Sequence, residues 1–144
     1  MQFFYTKSPL SEVVFEKTSS LLAKLSSLYE KVKTTSDDFL TMILSTSEIT
    51  VICSDRIKNA VLSHFKVRPV MDLPGLASIG LSLDPKYHGM PNITFSLIRR
   101  IAHKRIVLAE TITTRTEIIF VFPEQSLPGI LDFLDDGRSM KNSP

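Results

Sequence analysis

One sentence of sequence is written twice in this chain. Leu44–Val61, LSTSEITVICSDRIKNAV, and Thr113–Ile130, TTRTEIIFVFPEQSLPGI, each read as a polar turn, a glutamate, an apolar run, a second polar break and a helical pattern. Glu48 and Glu117 hold equivalent places 69 residues apart. At that spacing Ile49 meets Ile118, Val51 meets Phe120, Asp55 meets Glu124, Val61 meets Ile130 and Leu62 meets Leu131. A repeat of this size in 144 residues leaves few folds open. Each half is one supersecondary unit that leaves much of its sheet uncovered alone, so two copies must share a structure.

The periodicity fills in the two halves. Gln2–Thr6 (QFFYT) reads as a strand ended by KSP, and Glu12–Lys17 as a second strand, with a helix from Ser11 as the rival. Thr18-Ser19-Ser20 offers a helix cap, and Leu21, Leu22, Leu25, Leu28 and Val32 recur at helical spacing. Phe39–Ser45 and Glu48–Ser54 predict a hairpin turning at Thr46-Ser47. Asp55–Phe65 predicts a helix capped by Asp55, and Val67–Asp72 a short strand broken at Pro74-Gly75. The second half starts afresh with a strand over Ala77–Leu83 and a loop over Asp84–Pro91, with Pro91 in the first turn of a helix that buries Ile93, Leu97, Ile98, Ile101 and Ala102. Strands over Ile106–Thr113 and Thr116–Phe122, a helix over Ser126–Leu134 and a polar tail complete it.

Strand, helix, strand, strand, helix and a closing strand is the ferredoxin-like order. The first half has its closing strand at Val67–Asp72. The second has none, because the tail cannot make one, while the chain carries one strand too many at its start. The expectation is therefore an α+β fold of two ferredoxin-like βαββαβ units with antiparallel sheets. Residues 11–72 form the first unit and 76–135 the second, completed by strand 2–6, and 136–144 form a flexible tail.

Composition narrows the function classes. A net charge of +2 is too small to argue for nucleic acid or an anionic membrane. No apolar run approaches the ~18 residues of a spanning helix. MQFFYTKSP lacks the pattern of a signal peptide. The single cysteine, Cys53, excludes an intrachain disulfide, fits a reducing cytoplasm and is expected as a small buried hydrophobe. His64, His88 and His103 have no metal-ligand spacing, and no Gly-rich phosphate loop occurs, so no cofactor or metal is expected. No acid–base or nucleophile set is recognisable, which argues against an enzyme. The cluster Arg99, Arg100, Lys104 and Arg105 reads as a basic helix end.

LSTSEITVICSD, Leu44–Asp55, resembles a segment of aspartokinase regulatory regions, where a turn led by leucine or isoleucine and continued by T-S-E precedes an alternating apolar strand and an acidic helix cap. Gly89–Ile93, GMPNI, resembles the loop that opens the first helix of that family's second small domain. Those domains are ACT domains, amino-acid-sensing modules of ferredoxin-like fold, and the resemblance covers nearly the whole chain. It implies a non-catalytic allosteric regulatory region, since nothing here resembles the kinase domain. It also implies an amino-acid effector (lysine, threonine or a relative), a homodimer through the ACT units, and control of a kinase domain outside this chain. The alternative is the same fold used only to dimerise.

An amino acid presents a carboxylate and an ammonium. A helix N-terminus suits the first and strand carbonyls the second. The resemblance places this junction at Ser19 and Ser20 with Thr41, Met42, Thr46, Ser47 and Glu48, and again at Met90, Pro91, Asn92 and Ile93. The chain departs from the family at Met42, where lysine-binding members carry an Asp. It departs again at Asn92, where a glycine is usual and backbone approach is closer.

Overall fold

The first strand continues, through a cis Ser8–Pro9 peptide bond, past the place where a turn is expected. In the computed structural model, which describes residues 4–87, 92–132 and 134, β1 (Phe4–Glu16) is a single thirteen-residue strand. β4 (Met71–Ser82) is likewise unbroken across Pro74-Gly75. Proline interrupts a strand only where its missing N–H had a ladder partner. Pro9 precedes Leu10, where pairing of β1 with β3 (Glu48–Ser54) begins. Pro74 lies in the exposed stretch Met71–Gly75, and Gly75 takes φ +73°, which glycine adopts without a Cβ penalty.

The other elements are β2 (Leu40–Leu44), α1 (Ser19–Leu25), α2 (Leu28–Lys31), α3 (Asp55–Phe65), α4 (Asn92–His103), β5 (Glu110–Thr113), β6 (Glu117–Pro123) and α5 over residues 127–132. The single helix expected from Thr18 to Val32 is two. The hydroxyls of Ser26 and Ser27 donate to the carbonyls of Ala23 and Lys24, competing with the helix at its end. Asp55, expected as a cap, is the first helical residue of α3, where its charge suits the dipole. Ser54 holds the cap position, and its Oγ accepts from Phe39 N–H at 2.8 Å. The strand expected from Ile106 begins at Glu110.

Strands follow the order β2-β3-β1-β4-β6-β5. The chain divides into a first unit, residues 7–76, and a second, residues 77–144 together with 1–6. The first unit thus has strands in the order β2-β3-β1-β4 and the second in the order β1-β4-β6-β5. Each is the ferredoxin-like arrangement, and the leading segment of β1 completes the second unit. The fold is α+β, two such units in tandem.

In the first unit the antiparallel register sets Val13 opposite Val51 and Phe15 opposite Ile49. With Cys53 they line one face and pack on Leu21, Leu28, Val32, Ile57, Val61 and Phe65. Ile57, Val61 and Phe65 recur every four residues along α3, which is why that helix presents one apolar stripe. The rings of Phe15 and Phe65 lie 4.7 Å apart, tilted. Polar bonds fix the helices at their ends. His64 Nε2 lies 2.8 Å from the Lys24 carbonyl, and Lys24 Nζ donates to the Phe65 carbonyl at 3.0 Å. The polar loop after α2 is held by Asp38, which accepts from Thr35 N–H at 2.7 Å and pairs with Arg56. The Arg56 guanidinium pulls the Asp38 carboxyl down to about 2.

The second unit repeats the plan. Ala77, Ile79 and Leu81 of β4 and Ile118, Phe120 and Phe122 of β6 pack on Leu97, Ile101, Ile130 and Leu134, with Phe4 against them. The Tyr5 ring lies over Gly80, where a Cβ would collide with it.

Two outcomes test this packing. Phe15→Ala should destabilise by about 3–5 kcal/mol in denaturant melts, through lost burial and a residual cavity. Gly80→Ala should cost about 1–3 kcal/mol by overpacking. In a double-mutant cycle with Tyr5→Ala that cost should largely vanish, and a full cost surviving removal of the ring would locate the clash elsewhere.

Candidate functional site

The doubled turn is built from the same hydrogen bonds in both units. In the first, Ser45 N–H donates to the Glu48 carbonyl at 3.0 Å, and Ser45 Oγ reaches the same oxygen at 3.2 Å. In the second, Thr114 N–H and Oγ1 reach the Glu117 carbonyl at 2.9 and 3.4 Å. The residue just after β1 and the residue just after β4 are tied to the turns in the same way: Lys17 N–H donates to Ser47 O at 3.0 Å, and Leu83 N–H to Thr116 O at 2.8 Å. The hydroxyl residues at Ser45 and Thr114 are therefore used by the turn itself.

The Lys17–Ser47 bond brings the start of α1 to the turn. Thr18 caps α1: its side chain accepts from Leu21 N–H at 3.2 Å, and its carbonyl from Leu22 N–H at 3.0 Å. The cap leaves the N–H groups of Ser19 and Ser20, both exposed, as the first donors of the helix. Ser19, Ser20, Thr46 and Ser47 thus lie at one end of the first unit's sheet. Glu48 lies there too, but β-alternation puts it with Thr50, on the opposite face from Ile49 and Val51 and hence from the helices.

Thr41 and Met42 are not brought to that end. They stand opposite Ile52 and Val51, about four to five residues or roughly 15 Å along β2 from the turn. Met42 packs against the first-unit core. Met90 and Pro91 lie outside the described residues, as do the side chains of Asn92 and Ile93, whose backbone begins α4. One residue at the turn was missed by sequence reasoning. Lys17 sends its Nζ to the Ser45 carbonyl at 3.3 Å. Its only signal was a cation directly before the helix cap.

The two turns differ at their glutamates. Glu48 stands in register opposite Glu16, an exposed like-charged pair. Glu117 instead accepts a hydrogen bond from Tyr5 Oη at 3.0 Å, delivered by the leading segment of β1. Burial, then the bond and the charge of Glu117, push the Tyr5 phenol up to about 12. Cys53 is buried, and burial pushes its thiol up to about 11, the setting of an inert core residue. Among the described residues no group of three or more His, Cys, Asp or Glu could hold a metal ion, and no helix is long and apolar enough to cross a membrane.

Solved structures share this architecture. The chain superposes with a TM-score of 0.75 on the aspartate kinase of Clostridium acetobutylicum, at 10% identity, over 92% of its own length and 33% of that chain. On the ligand-free regulatory subunit of aspartate kinase from Thermus thermophilus the score is 0.69 at 10% identity, over 94% of this chain and 97% of that one. E. coli aspartokinase III, solved with lysine and aspartate in its T-state, gives 0.66 at 10% identity, over 93% and 32%. This chain has the fold of an aspartate kinase regulatory region. It spans about a third of the two whole kinases and nearly all of the separate regulatory subunit. No protein-family model and no curated protein matches its sequence.

The raised Tyr5 pKa has a readable consequence. The folded state holds the phenol proton up to about 12, whereas the unfolded chain releases it near 10. The contribution is therefore complete below pH 10 and is lost as pH rises through 10 to 12. In an alkaline absorbance titration, one of the three tyrosines should ionise late. Glu117→Gln should shift that step earlier, and Tyr5→Phe should remove it.

Proposed function

We propose that this chain is a non-catalytic regulatory region that binds an amino-acid end product, lysine, threonine or a relative in the aspartate pathway. Through that binding it controls a kinase domain outside the chain, as a cytoplasmic homodimer. The observation that carries the reading is the strand exchange. A leading strand that completes the far unit is an unusual solution, and the chain follows the T. thermophilus regulatory subunit over 97% of that molecule's length. The ligand carboxylate would sit on the N–H groups of Ser19 and Ser20 and the ammonium beside the Thr46-Ser47-Glu48 turn. Met90, Pro91, Asn92 and Ile93 would serve as the second junction. An effector acts only through its different affinities for two arrangements, so its control of the kinase and the kinase's effect on its affinity are reciprocal.

A second reading is favoured by one observation. Met42 fills space in the first-unit core where lysine binders of the resembled family carry an Asp. In that case the fold serves to dimerise, with a degenerate site.

Calorimetric titration with the twenty amino acids at millimolar concentration separates the two. The sensing reading expects one of them to bind and to stabilise the fold by about 2.7 kcal/mol at a hundredfold excess over Kd. Ser19→Pro removes one N–H at a position where proline is tolerated, so affinity should fall while the apo melting temperature holds. No binding by any amino acid, with a tight dimer in sedimentation, leaves the dimerisation reading.

A further inference from the structure

The charge of the second unit is unevenly written. Between Asp84 and Glu110 the chain has no carboxylate, yet it carries Lys86, Arg99, Arg100, Lys104 and Arg105, five formal cations in a molecule of net charge +2. Four of these lie on or just after α4. Its inner side is spent on the core through Leu97 and Ile101. Its outer side exposes Phe95, Arg99, Ala102 and His103, at helical spacing, over about 12 Å of helix. Lys104 and Arg105 continue the exposed surface into the connection to β5, and Val107 follows.

Two further observations separate this face from an ordinary solvated one. Phe95 and Val107 are the most exposed large apolar side chains among the described residues, at 66% and 73%. Among those same residues Arg99, His103, Lys104 and Arg105 have no ion pair or side-chain hydrogen bond, as is true of Lys31, Lys33, Lys66 and Arg68 of the first unit, but the α4 set stands together in a stretch that has no carboxylate. Cations without partners are cheap in water. Beside two exposed apolar side chains they make a surface complementary to carboxylates flanking an apolar anchor.

We propose that the outer face of α4, with residues 104–107, docks an acidic protein segment, its carboxylates on Arg99, Lys104 and Arg105 and its apolar side chains on Phe95 and on Val107. An anionic membrane fits less well. Leu97 and Ile101 of α4 are already buried in the core, and among the described residues of this face Phe95 and Val107 are the large apolar side chains left to insert.

The test uses the whole chain and three probes: a labelled short peptide of glutamates interspersed with leucine, a polyglutamate of equal length, and phosphatidylserine vesicles. The leucine-bearing peptide should bind with an affinity that falls as salt rises, and amide shifts should concentrate at residues 95–108. R99E with K104E should weaken it roughly tenfold or more, as reversal of two contacting charges requires. Phe95→Ala with Val107→Ala should reduce it to the level of polyglutamate. All four positions are exposed, so each variant should melt with the parent chain. The proposal is overturned if the charge-reversed chain binds the peptide unchanged, if polyglutamate binds as well as the mixed peptide, or if only vesicles bind.

Discussion

The structure depends on a strand that serves two owners. A ferredoxin-like unit needs four strands, and the described residues of the second half supply three. Its missing strand comes from the far end of the molecule, where Phe4–Thr6 groups with residues 77 onward while the rest of β1 belongs to the first unit. β4 is divided in the complementary sense at Leu76 and Ala77. Neither strand could end at its proline without leaving a unit short. Backbone pairing therefore outweighs a local signal that would break an isolated strand.

Repetition extends below the level of elements. Ser45 and Thr114, 69 residues apart, bond the carbonyls of Glu48 and Glu117 in the same way, and the residues just after β1 and β4 are tied to the two turns by one equivalent bond each. These polar residues are explained by turn chemistry, so any ligand at the first turn would use what the turn leaves over. That is chiefly the first N–H groups of α1. The second turn leaves less, since Tyr5 already occupies the carboxylate of Glu117.

How much of this was legible follows from where the deciding forces lie. β3 and α3 could be read directly, because alternation of Ile49, Val51 and Cys53 and the four-residue recurrence of Ile57, Val61 and Phe65 both report a single buried face. The strand crossing was legible from counting strands against units. The lengths of β1 and β4 were not, because Pro9 and Pro74 carry the same local signal wherever they stand, and only the partner strand shows whether an N–H is missed. The break between α1 and α2 was hidden because Leu28 and Val32 are buried as a continuous helix would require, while Ser26 and Ser27, just before Leu28, turn their hydroxyls back on the chain. At the site, the meeting of α1 with the turn follows from the fold. The positions of Thr41 and Met42 depend on register, which composition does not reveal. Lys17 could not be found from spacing, because its role is a tertiary bond to Ser45.

The sharing of β1 has a consequence for biosynthesis. Phe4–Thr6 leaves the ribosome before the strand it will join, so the first unit can form on the nascent chain while this short aromatic segment waits, edge open, for the later part of β4 to be translated. Such long-range closure is slow compared with local helix formation, and an unpaired strand edge is the part of a growing polypeptide most exposed to wrong partners. Phe4–Thr6 is thus translated well before the unit that it completes.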